Sequence, residues 1–159
     1  MRKTVFASLA LVLSTLPLAA CGEKEAPPAD SVDGKPGVEI TNGRIVLPAV
    51  AGNPAALYLD IVNNSDGYAV VRKAEVPGAK EVAMHESVTT NGKAEMVDLA
   101  PVNLVKGQSV KFEPGGKHFM IMGLDPAPAA GETKEVTLTF AGGDKTTFTA
   151  KVEAPGGGN

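Results

Sequence analysis

The sequence predicts an all-β domain, a β-sandwich or barrel, on two observations. The folded stretch breaks into short alternating or β-branched segments separated by turn residues. No segment carries a convincing long helical period. Many short strands at this spacing, with Gly and Pro between them, suit a closed or two-layered β fold.

The elements follow in order. Arg44 to Leu47 reads as a strand, and Ala-Leu-Tyr-Leu-Asp-Ile-Val at 56–62 as a clear second one. Asn63-Asn64-Ser65-Asp66-Gly67 carries the residues that tolerate tight backbone geometry. Tyr68 to Ala74 is expected to follow as the hairpin partner of 56–62. Glu81 to Val88 is another strand, and Asn91-Gly92 marks a turn after it. Ser109 to Phe112, His118 to Met122, Thr133 to Phe140 and Thr146 to Val152 complete the set, with Gly142-Gly143-Asp144 joining the last two.

The chain has 159 residues, room for one domain once the ends are set aside. Residues 1–20 have the layout of an export signal: Arg2 and Lys3, then an apolar run from Val5 to Ala20 broken only by Ser8, Ser14, Thr15 and Pro17. That run is too short and interrupted for a membrane span. Leu18-Ala19-Ala20-Cys21 resembles a bacterial lipobox, which makes Cys21, the single cysteine, the expected lipidation site. Gly22 after it, by resemblance to Gram-negative lipoproteins, favours the outer membrane over the inner. Residues 22–37 are rich in Pro, Ala, Asp and Glu and are expected to form a flexible tether after the cysteine. The domain is then expected over 38–154, with a loose tail at 155–159. Of the 15 basic residues, Arg2 and Lys3 leave with the signal, so 13 face 18 acidic ones and the net charge is −5. Such a surface argues against nucleic acid and against polybasic membrane binding; the lipid supplies the attachment.

The chemistry is concentrated in one stretch. The two histidines, His85 and His118, and the four methionines beyond the initiator, Met84, Met96, Met120 and Met122, all fall between positions 84 and 122. Methionine used as a general gap-filler would be scattered more widely. Strand alternation puts His118, Met120 and Met122 on one side, with Phe119 and Ile121 on the other. His85 lies on a second strand, with Met84 and Glu86 facing away from it, and Met96 falls in or near the hairpin that follows. Thioethers are soft and uncharged. They select Cu(I), which imidazole also suits, while zinc gains little from Met and calcium or magnesium want oxygen. A set of two His and two Met, without thiolate, suits carrying and releasing one Cu(I) per chain more than storing it.

The spacing His85, ten residues, Met96, twenty-one residues, His118, one residue, Met120 resembles the periplasmic copper chaperone family called PCu(A)C. Ala55-Ala56-Leu57-Tyr58-Leu59, the stretch Pro114 to Met120 and the closing strand pair around Phe140 also look like that family, so the resemblance covers essentially all of 38–154. It implies a cupredoxin-like Greek-key β-sandwich and Cu(I) held by His85, Met96, His118 and Met120. It further implies delivery to an acceptor such as the CuA centre of cytochrome c oxidase, alongside a Sco-type thiol protein. Met84 and Met122 depart from the pattern and stand as auxiliary metal candidates.

Two other functions fit the same residues: periplasmic copper buffering for tolerance, and a metal-free β-sandwich lipoprotein acting as an assembly module. An enzyme is not expected. Glu86 beside His85 lacks a second carboxylate or a convincing serine nucleophile motif, and a blue-copper site needs a thiolate that Cys21, outside the domain, does not supply.

Overall fold

A computed structural model describes residues 34–156. The expected signal, the expected lipidation site Cys21, most of the expected tether and the last three residues lie outside them. Ten strands follow one another: β1 Val38–Val46, β2 Ala55–Asn63, β3 Ala69–Glu75, β4 Glu81–Thr90, β5 Lys93–Asp98, β6 Val102–Leu104, β7 Ser109–Phe112, β8 Lys117–Met122, β9 Thr133–Phe140 and β10 Lys145–Glu153. Hydrogen bonding runs in the order β5-β4-β8-β2-β1-β10-β9-β3-β6, with β7 beside β2. The pairing of β1 with β10 is parallel, with Arg44, Ile45 and Val46 opposite Lys151, Val152 and Glu153.

Alternation decides which side of each strand is buried. In β2, Leu57, Leu59 and Ile61 are buried while Ala56, Tyr58, Asp60 and Val62 lie partly open. In β9, Val136, Leu138 and Phe140 do the same. These faces, with Ile45, Phe112, Phe119, Ile121, Phe148 and Ala150, meet in one apolar cluster, so the strand path folds over on itself as a sandwich. Phe112 and Phe119 stack at 4.7 Å between ring centroids. They sit opposite Leu59 and Leu57, because one edge of β2 is shared end to end by β7 and β8.

One expected pairing is corrected. β3 is not the hairpin partner of β2; it pairs with β9 and β6, whereas β2 pairs with β1, β7 and β8. Both strands carry an alternating apolar face, and the turn between them passes from one strand group to the other instead of closing a hairpin. Asn63 anchors that passage. Its fully buried side chain donates to the carbonyls of Gly67 and Leu104 and accepts from the Ser65 amide and hydroxyl. A buried amide satisfied on both ends specifies one path for the chain.

Two residues at the domain end of the expected tether, Lys35 and Gly37, are tied to the strand-bearing part of the chain. The Lys35 amide donates to Thr146 Oγ1, its ammonium pairs with Asp144 at 2.6 Å, and the Gly37 carbonyl accepts from the Asn64 amide. Gly37 has a φ of +77° and presses against the Ser65 backbone, where a Cβ would stand 2.7 Å from the Ser65 Cα. Only glycine fits there.

Candidate metal centre

Three strands build the site: β5, β4 and β8, side by side at one end of the path. β4 and β5 form a hairpin closed by Asn91 and Gly92, both with positive φ (52° and 76°), the geometry of a two-residue primed turn. β7 and β8 are joined through Pro114-Gly115-Gly116, where the Gly116 amide donates to the Glu113 carbonyl and the Glu113 amide to the Lys117 carbonyl. These turns fix two registers. His85 stands directly opposite His118 on β8, and opposite Asp98 on β5.

Residues opposite one another in an antiparallel pair share a face. His85, His118, Met120 and Met96 therefore all lie on the face turned away from the apolar cluster. Phe119 and Ile121 fill that cluster from the other side of β8. The imidazoles meet edge to face, their ring centroids 6.0 Å apart and their planes at 74°. His118 is 6% exposed, and Met120 lies between Ala83 of β4 and Ala56 of β2, two small neighbours that leave room around its thioether.

The methionines are not equally placed. Met120 is two residues from His118 on the same strand. Met96 is opposite Ser87, one diagonal step from His85, and is 55% exposed. With about 4.8 Å between strands and about 3.4 Å per residue, Met96 and Met120 have Cα atoms roughly 17 Å apart on a flat sheet. They flank the histidine pair from opposite corners. Met122 shares the face of Met120, one step further out and opposite Glu81. Met84 does not belong to the group: it packs against the apolar cluster from the opposite face of β4. Glu86 pairs with Lys117 at 2.6 Å, a structural ion pair.

Each histidine has one nitrogen occupied. His118 Nδ1 lies 3.1 Å from the Gly116 carbonyl, which also accepts from the Ser87 amide. His85 Nε2 lies 3.2 Å from Asp98 Oδ1, while its Nδ1 is buried without a hydrogen-bond partner. Among the described residues, no group of three or more His, Cys, Asp or Glu is placed to hold a metal ion.

Sequence reasoning did not find three further residues of this face. Asp98 contacts His85, Tyr58 packs its ring 6.4 Å from His118, and Arg44 lies 5.1 Å over the Tyr58 ring. Burial pushes the Tyr58 hydroxyl up from its ordinary range, with Arg44 pulling the other way. A clue to Asp98 was its position two residues beyond Met96 on one strand, but the β4–β5 register was needed to put it on His85.

Residues 38–152 match the family described as "Putative lipoprotein LpqE-like". The chain belongs to the LpqE-like family. A relative from Leifsonia xyli subsp. xyli (strain CTCB07), named "Putative lipoprotein Lxx21020", is 28% identical over 134 residues, covering 84% of this chain and 81% of that protein. Among solved structures, the copper-bound PCuAC domain from PmoF2 superposes with a TM-score of 0.61 at 24% identity, covering 75% of this chain and 94% of that one. The apo PCuAC domain from PmoF1 gives 0.64 at 22%, covering 77% and 98%. The solution structure of CuI-DR1885 from Deinococcus radiodurans gives 0.55 at 22%, covering 79% and 83%. This LpqE-like chain thus has the cupredoxin-like fold of the PCuAC domains.

Proposed function

We propose that this LpqE-like protein is an extracytoplasmic copper chaperone that carries one Cu(I) on the outer face of β4, β5 and β8. His85, His118 and Met120 are its inner ligands, and Met96 closes the site from the β5 edge. The observation that carries the reading is the direct opposition of His85 and His118, with rings 6.0 Å apart and Met120 and Met96 on the same face. The donor set suits the ion: two neutral imidazoles and two thioethers favour soft, monovalent copper and offer nothing to a hard cation. Solved structures of the same fold include a PCuAC domain named as copper-bound and a protein named as CuI-DR1885, which adds support.

Release matters as much as capture. Met96 stands more than half exposed at the edge, so an acceptor with stronger soft ligands can displace it first and take the ion by ligand exchange. The CuA centre of cytochrome c oxidase, or a Sco-type thiol protein, is the acceptor that the resemblance suggests. The lipobox at Cys21 and the family's lipoprotein description favour a lipid anchor that holds the carrier at a membrane on the periplasmic side.

Competition against a Cu(I) chelator tests the site. His118→Ala and Met120→Ala should each weaken binding by about 100-fold or more, since changes one shell further out already cost about 10- to 100-fold. Unchanged affinity in both variants rejects it. Loss of oxidase activity under copper limitation in a strain lacking the protein supports delivery; copper sensitivity alone supports buffering.

A further inference from the structure

We propose that Asp98 is a positioning residue that commits His85 to hold copper through Nδ1, while His118 holds it through Nε2. The inference rests on the copper reading above and specifies which atoms do the binding.

The argument starts from what each partner can accept. Asp98 Oδ1, an ionised carboxylate oxygen, only accepts hydrogen bonds. The His85 nitrogen 3.2 Å from it, Nε2, makes an ion-pair contact that falls outside hydrogen-bond geometry, and the nearby carboxylate charge favours the hydrogen on that nitrogen over a lone pair. A neutral imidazole with hydrogen on Nε2 has its free lone pair on Nδ1. That Nδ1 is the buried nitrogen left without a partner. An unpaired buried polar atom is costly to keep, and here it is the atom that a metal would satisfy. The Gly116 carbonyl likewise only accepts, so the His118 nitrogen 3.1 Å away, Nδ1, carries the hydrogen and Nε2 is free. The Ser87 amide bonded to the same carbonyl holds it in place.

The two imidazoles then reach the ion by arms of different length. Nδ1 adjoins the ring carbon attached to Cβ and lies near the backbone; Nε2 lies at the far side of the ring. Asp98 adds two further effects. Its negative charge, one imidazole away, offsets the +1 that Cu(I) keeps among four neutral ligands. It also sits two residues beyond Met96 on β5, so the contact that orients His85 keeps the Met96 strand in register with it. Asp98 is fully exposed, so water weakens the contact, and the effect belongs at the low end of the range for such outer partners.

Long-range proton–nitrogen NMR on the full chain with labelled histidines, before and after adding one equivalent of Cu(I), reads the assignment directly. The expected result is that His85 Nδ1 and His118 Nε2 are the unprotonated nitrogens of the apo protein and the two that shift with copper. Binding of His85 through Nε2 overturns this proposal and leaves the copper site standing. Absence of a shift at any histidine nitrogen overturns the copper site as well. Chelator competition completes the test: Asp98→Ala should lower Cu(I) affinity about tenfold. Asp98→Asn, which keeps an accepting oxygen, should recover part of that loss. Glu95→Ala removes the same charge from the other face of β5 and should change nothing. An Asp98→Ala variant with full affinity, or a Glu95→Ala variant that loses as much, overturns the positioning role.

Discussion

Met96 and Met120 share a face but not a position, and their substitutions should differ. Met120 lies between Ala83 and Ala56 beside His118, whereas Met96 stands half in solvent one diagonal from His85. Met96→Ala is therefore expected to cost less Cu(I) affinity than Met120→Ala and to speed copper release to a chelator more than it slows uptake. Stopped-flow transfer measures both; a Met96 variant weaker than the Met120 variant would contradict the placement. Tyr58 offers a second residue-scale outcome. Its hydroxyl is raised by burial against the pull of Arg44, so the neutral form is favoured in the folded state. The resulting stabilisation is complete below the ordinary tyrosine range and is lost as pH rises through the raised value, above about pH 10. Tyr58→Phe should flatten the alkaline limb of the stability curve in denaturant titrations across that range. An unchanged alkaline loss would place its cause elsewhere. At this scale the four ligand candidates were legible from residue type, spacing and strand alternation. Asp98 was not, because its contact with His85 depends on a pairing register that no local pattern states.

The strands that carry the site are held by apolar residues on their other side. Phe119 is fully buried, stacked on Phe112 and opposite Leu57, and it lies between His118 and Met120 in the chain. Phe119→Ala should cost about 3–5 kcal/mol, lowering the melting temperature by roughly 10–20 °C at about 4 °C per kcal/mol. Calorimetry would show it, and a loss under 1 kcal/mol would mean that β8 is not seated as described. Gly115, with φ at +78°, shapes the turn that presents the Gly116 carbonyl to His118. Gly115→Ala has space but the wrong backbone preference, and should cost about 1 kcal/mol. Most strands were legible from alternation and turn residues, Asn91-Gly92 above all. Two strands were not: β5, which the sequence shows only as an unassigned part of the hairpin after Asn91-Gly92, and the three-residue β6, too short to show a period; nor was the partner of β3. The apolar face of β3 says that it is buried but not against which strand, and only the anchoring of Asn63 on Gly67 and Leu104 shows that the chain leaves β2 there.

The whole molecule divides its work between two faces of one strand path. Among the described residues, the inner faces supply stability through a single apolar cluster; the outer face of β5, β4 and β8 is free to carry polar and soft side chains. The fold class was readable because both periodicity and turn chemistry agreed on it. The shape of the site was not, since a pattern of spacings cannot say that Met96 and Met120 stand at opposite corners. Acid should weaken the carrier, because protons and copper compete for the same imidazole nitrogens. X-ray absorption on the protein loaded with one equivalent of Cu(I) is the most direct measurement. Two nitrogen and two sulfur neighbours around each copper are the result expected; a shell of oxygen and nitrogen without sulfur would contradict the account.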